Sequence, residues 1–254
     1  MTPALRRWVF LAAAAVAGGL LVWGLTGLPS FGVYPGPYGD VLNQVAVGER
    51  KATNVVAAVT FDYRGVDTMG EEYILFAAVV GVAVLLRAQR DEVEEPPDED
   101  AADRRAPGTS NAVRVLGLAL LGPVVLFGLY VVAHGHLTPG GGFQGGVVLA
   151  TGALLVYLSG EYVTLRKVRP VALIDLAESS GAGGYVAVGL LGLAAGAAFL
   201  QNVLPLGQPG ALPSAGTIPL VNVAVGLEVA GGMVLLVSEF LEQTLVLRRP
   251  GEVT

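Results

Sequence analysis

The sequence contains no cysteine and only two histidines among its 254 residues. The absence of cysteine excludes a disulfide framework, a thiolate metal site and a thiol nucleophile. Two histidines, His134 and His136, are too few to build a histidine-rich metal centre by themselves. Charged residues are also scarce, at 14% of the chain against about 25% in an ordinary soluble domain. These deficits argue against a soluble globular protein.

Apolar residues and glycine are abundant instead. Hydrophobic residues make up 53% of the chain, and there are 36 glycines, roughly twice their usual share of about 7%. Glycine in an apolar chain favours helices that pack backbone to backbone in lipid. The net charge of −6 argues against nucleic-acid binding. No phosphate-binding loop, serine triad or zinc-protease signature is present, so we expect no cofactor and no catalytic centre in this chain.

Long apolar runs predict the membrane spans, each of which needs about 20 residues. Five runs are long enough: 8–28, 112–133, 143–165, 181–200 and 218–240. A sixth run, 73–86, spans only if it borrows the preceding turn, 66–72. The first run is too long for the core of a signal peptide, so we expect a retained helix. The sequence predicts an all-α polytopic membrane protein with six transmembrane helices, two plus four, and a short interfacial or re-entrant helix.

The distribution of basic residues predicts the orientation. Six spans place twelve of the fifteen lysines and arginines on the side that holds both termini. Only Arg50, Lys51 and Arg64 fall on the other side. Because basic residues concentrate in cytoplasmic loops, we expect a multi-pass protein of the cell membrane with both termini in the cytoplasm.

An acidic segment divides the predicted spans into two modules. Residues 91–108 contain eight acids and three prolines, a composition typical of a disordered, self-repelling linker. A binding role for the acids is the alternative. The linker separates a two-span module, 1–90, from a four-span module, 109–254. We find no internal repeat, which argues against an inverted-repeat carrier.

The segment 53–72, TNVVAAVTFDYRGVDTMGEE, predicts a half-helix, a break and a second helix. Irregular backbone at membrane depth is tolerated only where it is buried in protein or lines a hydrated cavity. Carboxylates in such a break can bind a cation or hold a proton. Two simpler interpretations stay open. Asp62 and Arg64 pair across the break and fix its shape, or the segment is an extracytoplasmic loop resting on an amphipathic helix.

The end of this segment also suggests a sodium site. Asp67 and Glu71 lie four residues apart, so on a helix they share one face. Together with the Thr68 hydroxyl, their carboxylates could supply oxygen ligands to a sodium ion at the membrane edge. We therefore include these three residues with Asp62 and Arg64 among the ion-path candidates.

The turn 134–146, HGHLTPGGGFQGG, joins two spans. Pro139 and the glycines allow tight turning and close approach to other helices. The functional interpretation is a re-entrant turn beside an ion path, where His134 or His136 could titrate near neutral pH. The structural interpretation is a hairpin turn whose imidazoles bond to backbone carbonyls.

Glu228 is a lone carboxylate near the centre of a predicted span. A charged residue there costs roughly 2.5–3.5 kcal/mol on insertion scales, so it must face protein or water, be protonated, or be paired. It is either a proton or cation relay or a protonated carboxyl bonded within the bundle. Asp175 and Glu178 fall on a predicted cytoplasmic amphipathic segment, where we expect them to be solvated.

Two stretches resemble a known family. HGHLTPGGGFQGGVVLATGALLVYL resembles the hallmark turn and helix of the B subunit of Mrp-type multisubunit Na⁺/H⁺ antiporters, the MrpB/MnhB family. TNVVAAVTFDYRGVDTMGEEYILFAAVVGVAVLLR is similar to the C-terminal end of the antiporter's large A subunit. Small membrane subunits of membrane-bound hydrogenases show the same patterns.

The resemblance implies a subunit of a complex related to the membrane arm of respiratory complex I. It implies large antiporter-like subunits and small membrane subunits as partners, the bilayer as surroundings, and Na⁺ and H⁺ as the transported ions. By this resemblance, the residues that would line a sodium path are Asp62, Asp67, Thr68 and Glu71 on one side and Pro139 and Phe143 on the other.

Three hypotheses for the function remain. The first is an ion-path subunit of a cation/proton antiporter, which transports without a catalytic centre. The second is a small membrane subunit of a redox-driven complex of the hydrogenase or complex I-related type. The third is a stand-alone carrier or membrane scaffold.

Overall fold

The computed structural model describes residues 3–28, 32, 36–86, 109–168 and 171–246. Within these ranges the chain forms eight α-helices and no β-strand. The helices are α1 (Pro3–Thr26), α2 (Tyr38–Arg50), α3 (Val55–Ala58), α4 (Gly65–Leu86), α5 (Asn111–Ala133), α6 (Gly142–Val168), α7 (Val171–Ala194) and α8 (Ile218–Val246). The predicted linker 91–108 lies outside the described residues, so the modules 1–90 and 109–254 stay a prediction.

Five of these helices, α1, α4, α5, α6 and α8, are long and apolar enough to cross a membrane. The predicted class, an all-α polytopic membrane protein, is therefore confirmed for the described residues. The remaining predicted span, 181–200, falls on α7. Its 24 residues would extend about 36 Å at 1.5 Å per residue, enough to cross the bilayer. However, it contains Asp175, Glu178 and several small residues, and it is not among the five helices that are apolar enough by composition.

The predicted bounds of this span, 181–200, are wrong at both ends. The helix begins ten residues earlier, at Val171. The expectation that Glu178 is solvated is also wrong, because its side chain is buried at the contact with α8. The acidic residues of 171–179 are therefore part of a packed helix rather than of a separate surface segment.

The other end of α7 comes at Ala194 because the chain folds back onto the helix. The Phe199 ring lies 2.3 Å from where a β-carbon at Gly189 would stand. Gly196, in the left-handed region at φ +76°, donates from its amide to the carbonyl of Leu193 at 2.9 Å. Glycine in this conformation is a common way to end a helix.

The chain forms two compact units, Met1–Val41 and Leu42–Thr254. The first contains α1. In the second, α8 is the central helix because it packs against α4, α6 and α7. Of the residues in its apolar stretch, 56% are buried, against 17–28% for α4, α5 and α6. Polar side chains on α8 therefore face mainly protein.

Glycines allow close contacts between the helices of the second unit. A β-carbon at Gly142 of α6 would lie 2.3 Å from the backbone oxygen of Asn222 in α8. One at Gly145 would lie 2.9 Å from the backbone oxygen of Gly128 in α5. Small residues at such interfaces let backbones approach closely in membranes, which is the role that the glycine content predicts.

The predicted half-helix, break and second helix are confirmed. Helix α3, capped by the side chain of Asn54, continues as a π-helical turn, Val59–Tyr63. Arg64 leaves the helical conformation (φ −129°, ψ 30°), and α4 starts at the next residue. Thr68 donates from its hydroxyl to the carbonyl of Thr60 at 2.7 Å, which gives a partner to a backbone group near the interruption. Helix α4 also includes residues 66–72, the turn that the run 73–86 needs in order to span the membrane.

Candidate ion path

A polar cleft of about 620 Å³ lies beside the interruption at Arg64. It is lined by residues 62–67, by residues 198–202 and by Arg50 at the end of α2. Three of the predicted ion-path residues, Asp62, Arg64 and Asp67, are among the lining residues. The structure thus brings charged groups of both signs to one cleft at a broken membrane helix.

Asp62 pairs with Arg50 and not with Arg64, so the interpretation of a pair across the break is wrong. Its Oδ1 lies 2.9 Å from Nε of Arg50, and only 7% of its side chain is exposed. Its Oδ2 accepts a hydrogen bond from Nδ2 of Asn202 at 2.9 Å. Arg64 instead pairs with Asp67 three residues later. Since Arg64 and Asp67 are each more than half exposed, they form an outer pair and Asp62 an inner one.

Tyr63 supports the inner pair from outside. Its hydroxyl donates to Oε2 of Glu49 at 2.5 Å, and the Arg50 guanidinium lies 4.7 Å from its ring centroid. Burial, followed by the hydrogen bond to Glu49, raises the pKa of Tyr63 to about 12. The tyrosine therefore stays protonated at neutral pH and holds the guanidinium by a cation–π contact.

Asn202 connects the cleft to the loop before α8. Its Nδ2 donates to the carbonyl of Ala215 at 3.0 Å, and its Oδ1 accepts from the amide of Thr217 at 2.9 Å. Gly216, at φ +61°, lies against this carboxamide, where a β-carbon would be 2.0 Å from Oδ1. The asparagine thus fixes both the loop and one oxygen of Asp62.

Of the predicted sodium ligands, Asp67 and Glu71 lie one helical turn apart on the exposed side of α4, and Thr68 does not lie on that side. Asp67 and Glu71 are exposed, whereas Thr68 is buried and bonded to Thr60. No group of three or more histidine, cysteine or acidic residues suited to a metal ion occurs among the described residues. The buried carboxyl group of this helix belongs to Glu72, one residue beyond the predicted one, with 4% of the residue exposed.

The broken helix docks onto the predicted turn 134–146. Nδ2 of Asn54 donates to the carbonyls of Gly135 at 2.7 Å and Thr138 at 2.9 Å. The amide of Asn54 donates to the carbonyl of His136 at 3.1 Å, and the Thr53 hydroxyl to that of Leu137 at 2.6 Å. Two segments that the sequence places in separate modules are therefore in direct contact.

Both imidazoles of the turn bond to backbone carbonyls, as the structural interpretation proposed. Nδ1 of His134 lies 3.0 Å from the carbonyl oxygen of Tyr130, and its ring stacks on the Tyr130 ring. His136 is fully buried, and its Nε2 lies 3.0 Å from the carbonyl of Leu212. Because a carbonyl only accepts, Nε2 carries the proton. Burial lowers the pKa of His136, so its ring is neutral at neutral pH.

The rest of the turn is divided between surface and core. Pro139 and Phe143 are exposed. Gly141, at φ +148°, and Gly142 are buried, and the amide of Gly142 donates to Oδ1 of Asn222 at 2.8 Å. Asn222, fully buried in α8, also donates to the carbonyl of Ile218 at 3.1 Å. One carboxamide thus anchors the start of α6.

Glu228 faces protein, which is one of the outcomes predicted for it. Only 1% of the residue is exposed, and neither carboxyl oxygen has a hydrogen-bond partner among the described residues. Glu72 of α4 and Glu178 of α7 are likewise buried, on helices that pack against α8. Of these three buried glutamates, only Glu228 was predicted from the sequence as a buried carboxyl.

The polar residues that were not predicted from the sequence have one feature in common. Asn54, Asn202 and Asn222 are carboxamides close to apolar or small residues, and each holds a turn or a loop in place. None of the three is among the ion-path residues predicted from the sequence. A polar side chain in such a stretch must find a buried partner, so each asparagine could have been singled out.

Comparison with known proteins places the chain in a family. A sequence profile for a domain related to the MnhB subunit of Na⁺/H⁺ antiporters matches residues 112–235. An uncharacterised protein of Methanocaldococcus jannaschii is 30% identical over 210 residues, which cover 76% of this chain and 78% of that protein. The chain belongs to the family of MnhB-related membrane subunits. The predicted resemblance to MrpB/MnhB is thereby confirmed.

Two solved structures share the fold of this MnhB-related chain. A chain of the membrane-bound sulfane sulfur reductase, an archaeal respiratory membrane complex, has a TM-score of 0.70 and 33% identity, covering 93% of this chain and 98% of that one. A chain of the Mrp complex from Dietzia sp. DQ12-45-1b has a TM-score of 0.67 and 24% identity. That match covers 94% of this chain and 26% of the longer chain, and it shows the fold alone.

Proposed function

We propose that this chain forms part of the cation path of a multisubunit Na⁺/H⁺ antiporter and helps to assemble that complex. Its family supports the coarser assignment, a membrane subunit of a cation/proton antiporter-type complex. The observation that carries the finer proposal is the inner pair of Asp62 and Arg50, held by Asn202 in a polar cleft beside an interrupted membrane helix. In this role the chain is a transporter subunit without a catalytic centre or cofactor.

The cleft suggests how a monovalent cation would enter. The exposed carboxylates of Asp67 and Glu71 raise the local cation concentration at the mouth. Inside, a sodium ion and the Arg50 guanidinium compete for the oxygens of Asp62, because both are positive. Entry of the ion is thereby coupled to displacement of the guanidinium toward the Tyr63 ring. The Thr68 hydroxyl of α4 and the Thr60 carbonyl of the π-helical turn, which are bonded to each other, supply neutral oxygens beside the interruption.

The glycine-rich turn would form the second wall of the path. His134 and His136 are held by backbone carbonyls, so in this proposal they fix the shape of the turn. Pro139 and Phe143 lie on the surface, where we place a neighbouring subunit that completes the path. The exposed apolar residues of α5 face lipid or such a subunit. The basic residues of the sequence support cytoplasmic termini.

The decisive test is Asp62→Asn, which removes the charge and keeps the volume. We expect the complex to assemble and the sodium concentration for half-maximal exchange to rise about tenfold, since a charged hydrogen-bonding group is lost. The measurement is ΔpH-dye quenching in inside-out vesicles against sodium concentration, with complex levels checked by blot. Asp40→Asn, at an exposed acid of α2, is the matched control. A wild-type sodium dependence in Asp62→Asn would exclude the cleft from the path.

A second candidate function is a subunit of a redox-driven respiratory complex. The match to a chain of the sulfane sulfur reductase supports it, with 33% identity over 98% of that chain. The ion path would be the same, but the driving force would come from redox subunits. Affinity purification of the complex in mild detergent separates the candidates. Antiporter-like and small membrane subunits alone support the first, and co-purifying metal-containing redox subunits support the second.

A further inference from the structure

Helices α7 and α8 contain the same short pattern at their contact, a glutamate followed three residues later by a glycine. In α7 these residues are Glu178 and Gly181, and in α8 they are Glu228 and Gly231. The pattern is reciprocal in space. A β-carbon at Gly181 would lie 2.7 Å from Cβ of Glu228, and one at Gly231 would lie 3.1 Å from Cβ of Glu178. The Cβ atom of each glutamate therefore lies directly over the glycine of the other helix.

The two contacts also join the backbones closely. The same hypothetical β-carbons would lie 2.4 Å from the amide nitrogen of Glu228 and 2.8 Å from that of Glu178. Any larger residue at either glycine would separate the helices. Both carboxyl groups are thereby held inside the helix bundle, where 1% of Glu228 and 5% of Glu178 are exposed.

A third carboxyl group reaches this region from α4. Glu72 is 4% exposed, and its Oε2 has no hydrogen-bond partner among the described residues. The neighbouring Tyr73 donates from its hydroxyl to the carbonyl of Ala182 at 3.3 Å, next to the contact of Gly181 with Glu228. The two carboxyl oxygens of Glu228 also have no partner among the described residues. Three helices thus each direct one carboxyl group into the interior of the second unit.

Protonation stabilises carboxyl groups that are buried in this way. An isolated ionised carboxylate is costly in an apolar interior, and neighbouring like charges add to the cost. A proton on Glu228 or on Glu72 therefore lowers this cost. A protonated carboxyl is a donor and an ionised one an acceptor. A proton can then leave one group and join the next, directly or through a bridging water, with no net change in bonding.

We propose that Glu72, Glu228 and Glu178 form a proton relay that connects α4, α8 and α7 through the interior of this subunit. The relay deepens the proposed antiport function and rests on it, since it supplies a proton route beside the cation path. Glu228 is the central member because its helix, α8, packs against both α4 and α7. The glycines Gly181 and Gly231 position the groups by allowing the close approach of α7 and α8.

The first experiment follows the protons directly and does not need transport. Infrared spectra of the purified complex, transferred from H₂O to D₂O, should contain a protonated-carboxyl band that is lost in Glu228→Gln. In Glu72→Gln the hydrogen–deuterium exchange of this band should slow by about 10²-fold, since a positioned side chain accelerates proton transfer by about that much or more. Asp175→Asn, a half-exposed acid on α7, should leave the exchange rate unchanged.

Two results would overturn the relay. One is the absence of any band that depends on Glu228. The other is an exchange rate in Glu72→Gln equal to that of the wild type, which would make Glu228 an isolated structural carboxyl.

A second experiment separates this inference from the proposed function. Sodium-driven proton transport is measured in vesicles containing the wild type, Glu228→Gln or Asp175→Asn, with complex levels checked by blot. The relay predicts loss of transport in Glu228→Gln alone. Wild-type transport in Glu228→Gln would refute the relay and leave the antiport function standing. Absence of transport in the wild type would refute the antiport function, and the infrared result would still decide the relay.

Discussion

The side-chain amide of Asn54 donates a hydrogen bond of 2.7 Å to the carbonyl of Gly135, 81 residues later in the chain. The same amide reaches the carbonyl of Thr138, and its oxygen caps α3. One carboxamide therefore fixes the broken helix and the glycine-rich turn in a single arrangement. Both walls of the proposed ion path depend on this contact.

Loss of this contact should destabilise the protein. Asn54→Ala leaves partly buried carbonyls of the turn without their donor, and we expect a loss of about 1–3 kcal/mol. Thermal unfolding of the detergent-solubilised protein would measure the change. The matched control is Asn43→Ala, because Asn43 is an exposed carboxamide in α2. Equal stability of the two variants would mean that the turn holds itself without Asn54.

The glycine-rich turn should not accept a side chain at Gly141. Its φ of +148° disfavours any L side chain, and a β-carbon would lie 2.8 Å from Oδ1 of Asn222. Gly141→Val should therefore reduce assembly of the complex and transport. The control is Gly183→Val in α7, where a β-carbon would meet nothing within 4 Å. Normal assembly and transport in Gly141→Val would show that the turn is a loosely held loop.

Stability should depend on pH through His136. Burial lowers the pKa of this imidazole in the folded protein, whereas the unfolded chain takes up its proton near the ordinary value of about 6.5. The unfolded state then binds more protons, so stability is full above that pH and falls as the pH drops below it. Unfolding temperatures at pH 7.5 and 5.5 would measure the loss. His136→Gln should reduce the pH dependence, and an unchanged pH dependence in that variant would count against this assignment.

The predicted orientation can be tested by labelling. Single cysteines in this cysteine-free chain, placed at the N-terminus, at residue 100 and at the C-terminus, should all be cytoplasmic because twelve of the fifteen basic residues lie on that side in the six-span arrangement. An impermeant thiol reagent applied to intact cells should therefore modify none of them. A cysteine in place of Arg64, on the opposite side, serves as the positive control. Labelling of residue 100 from outside would exclude six spans.

The sequence predicts the local elements of this fold well. Apolar length and the polar break at 62–67 predict α4, α5, α6, α8 and the interruption at Arg64, because these depend on neighbours along the chain. The start of α7 could not be predicted in this way. Glutamate usually lies on the surface, and Glu178 is buried at its contact with Gly231 of α8, more than fifty positions later.

In the candidate site, too, local features could be predicted from the sequence and tertiary contacts could not. Asp62 was identified from the sequence, but its partner was wrongly placed at Arg64. Nearness in sequence favours that pair, yet the π-helical turn and the preceding helix bring Arg50 to the buried side instead. The contributions of Asn202 and Glu72 depend on tertiary packing, which no local pattern contains.

The central position of α8 has a consequence for biogenesis. This helix follows α4, α6 and α7 in the chain, yet it packs against all three. During synthesis the earlier helices leave the ribosome first, so Glu72 and Glu178 enter the bilayer before Glu228 and its helix arrive. The nascent chain must therefore hold these carboxyl groups in a provisional environment, such as the insertion machinery or another subunit. Truncations that remove α8 should be recognised as unfinished and degraded.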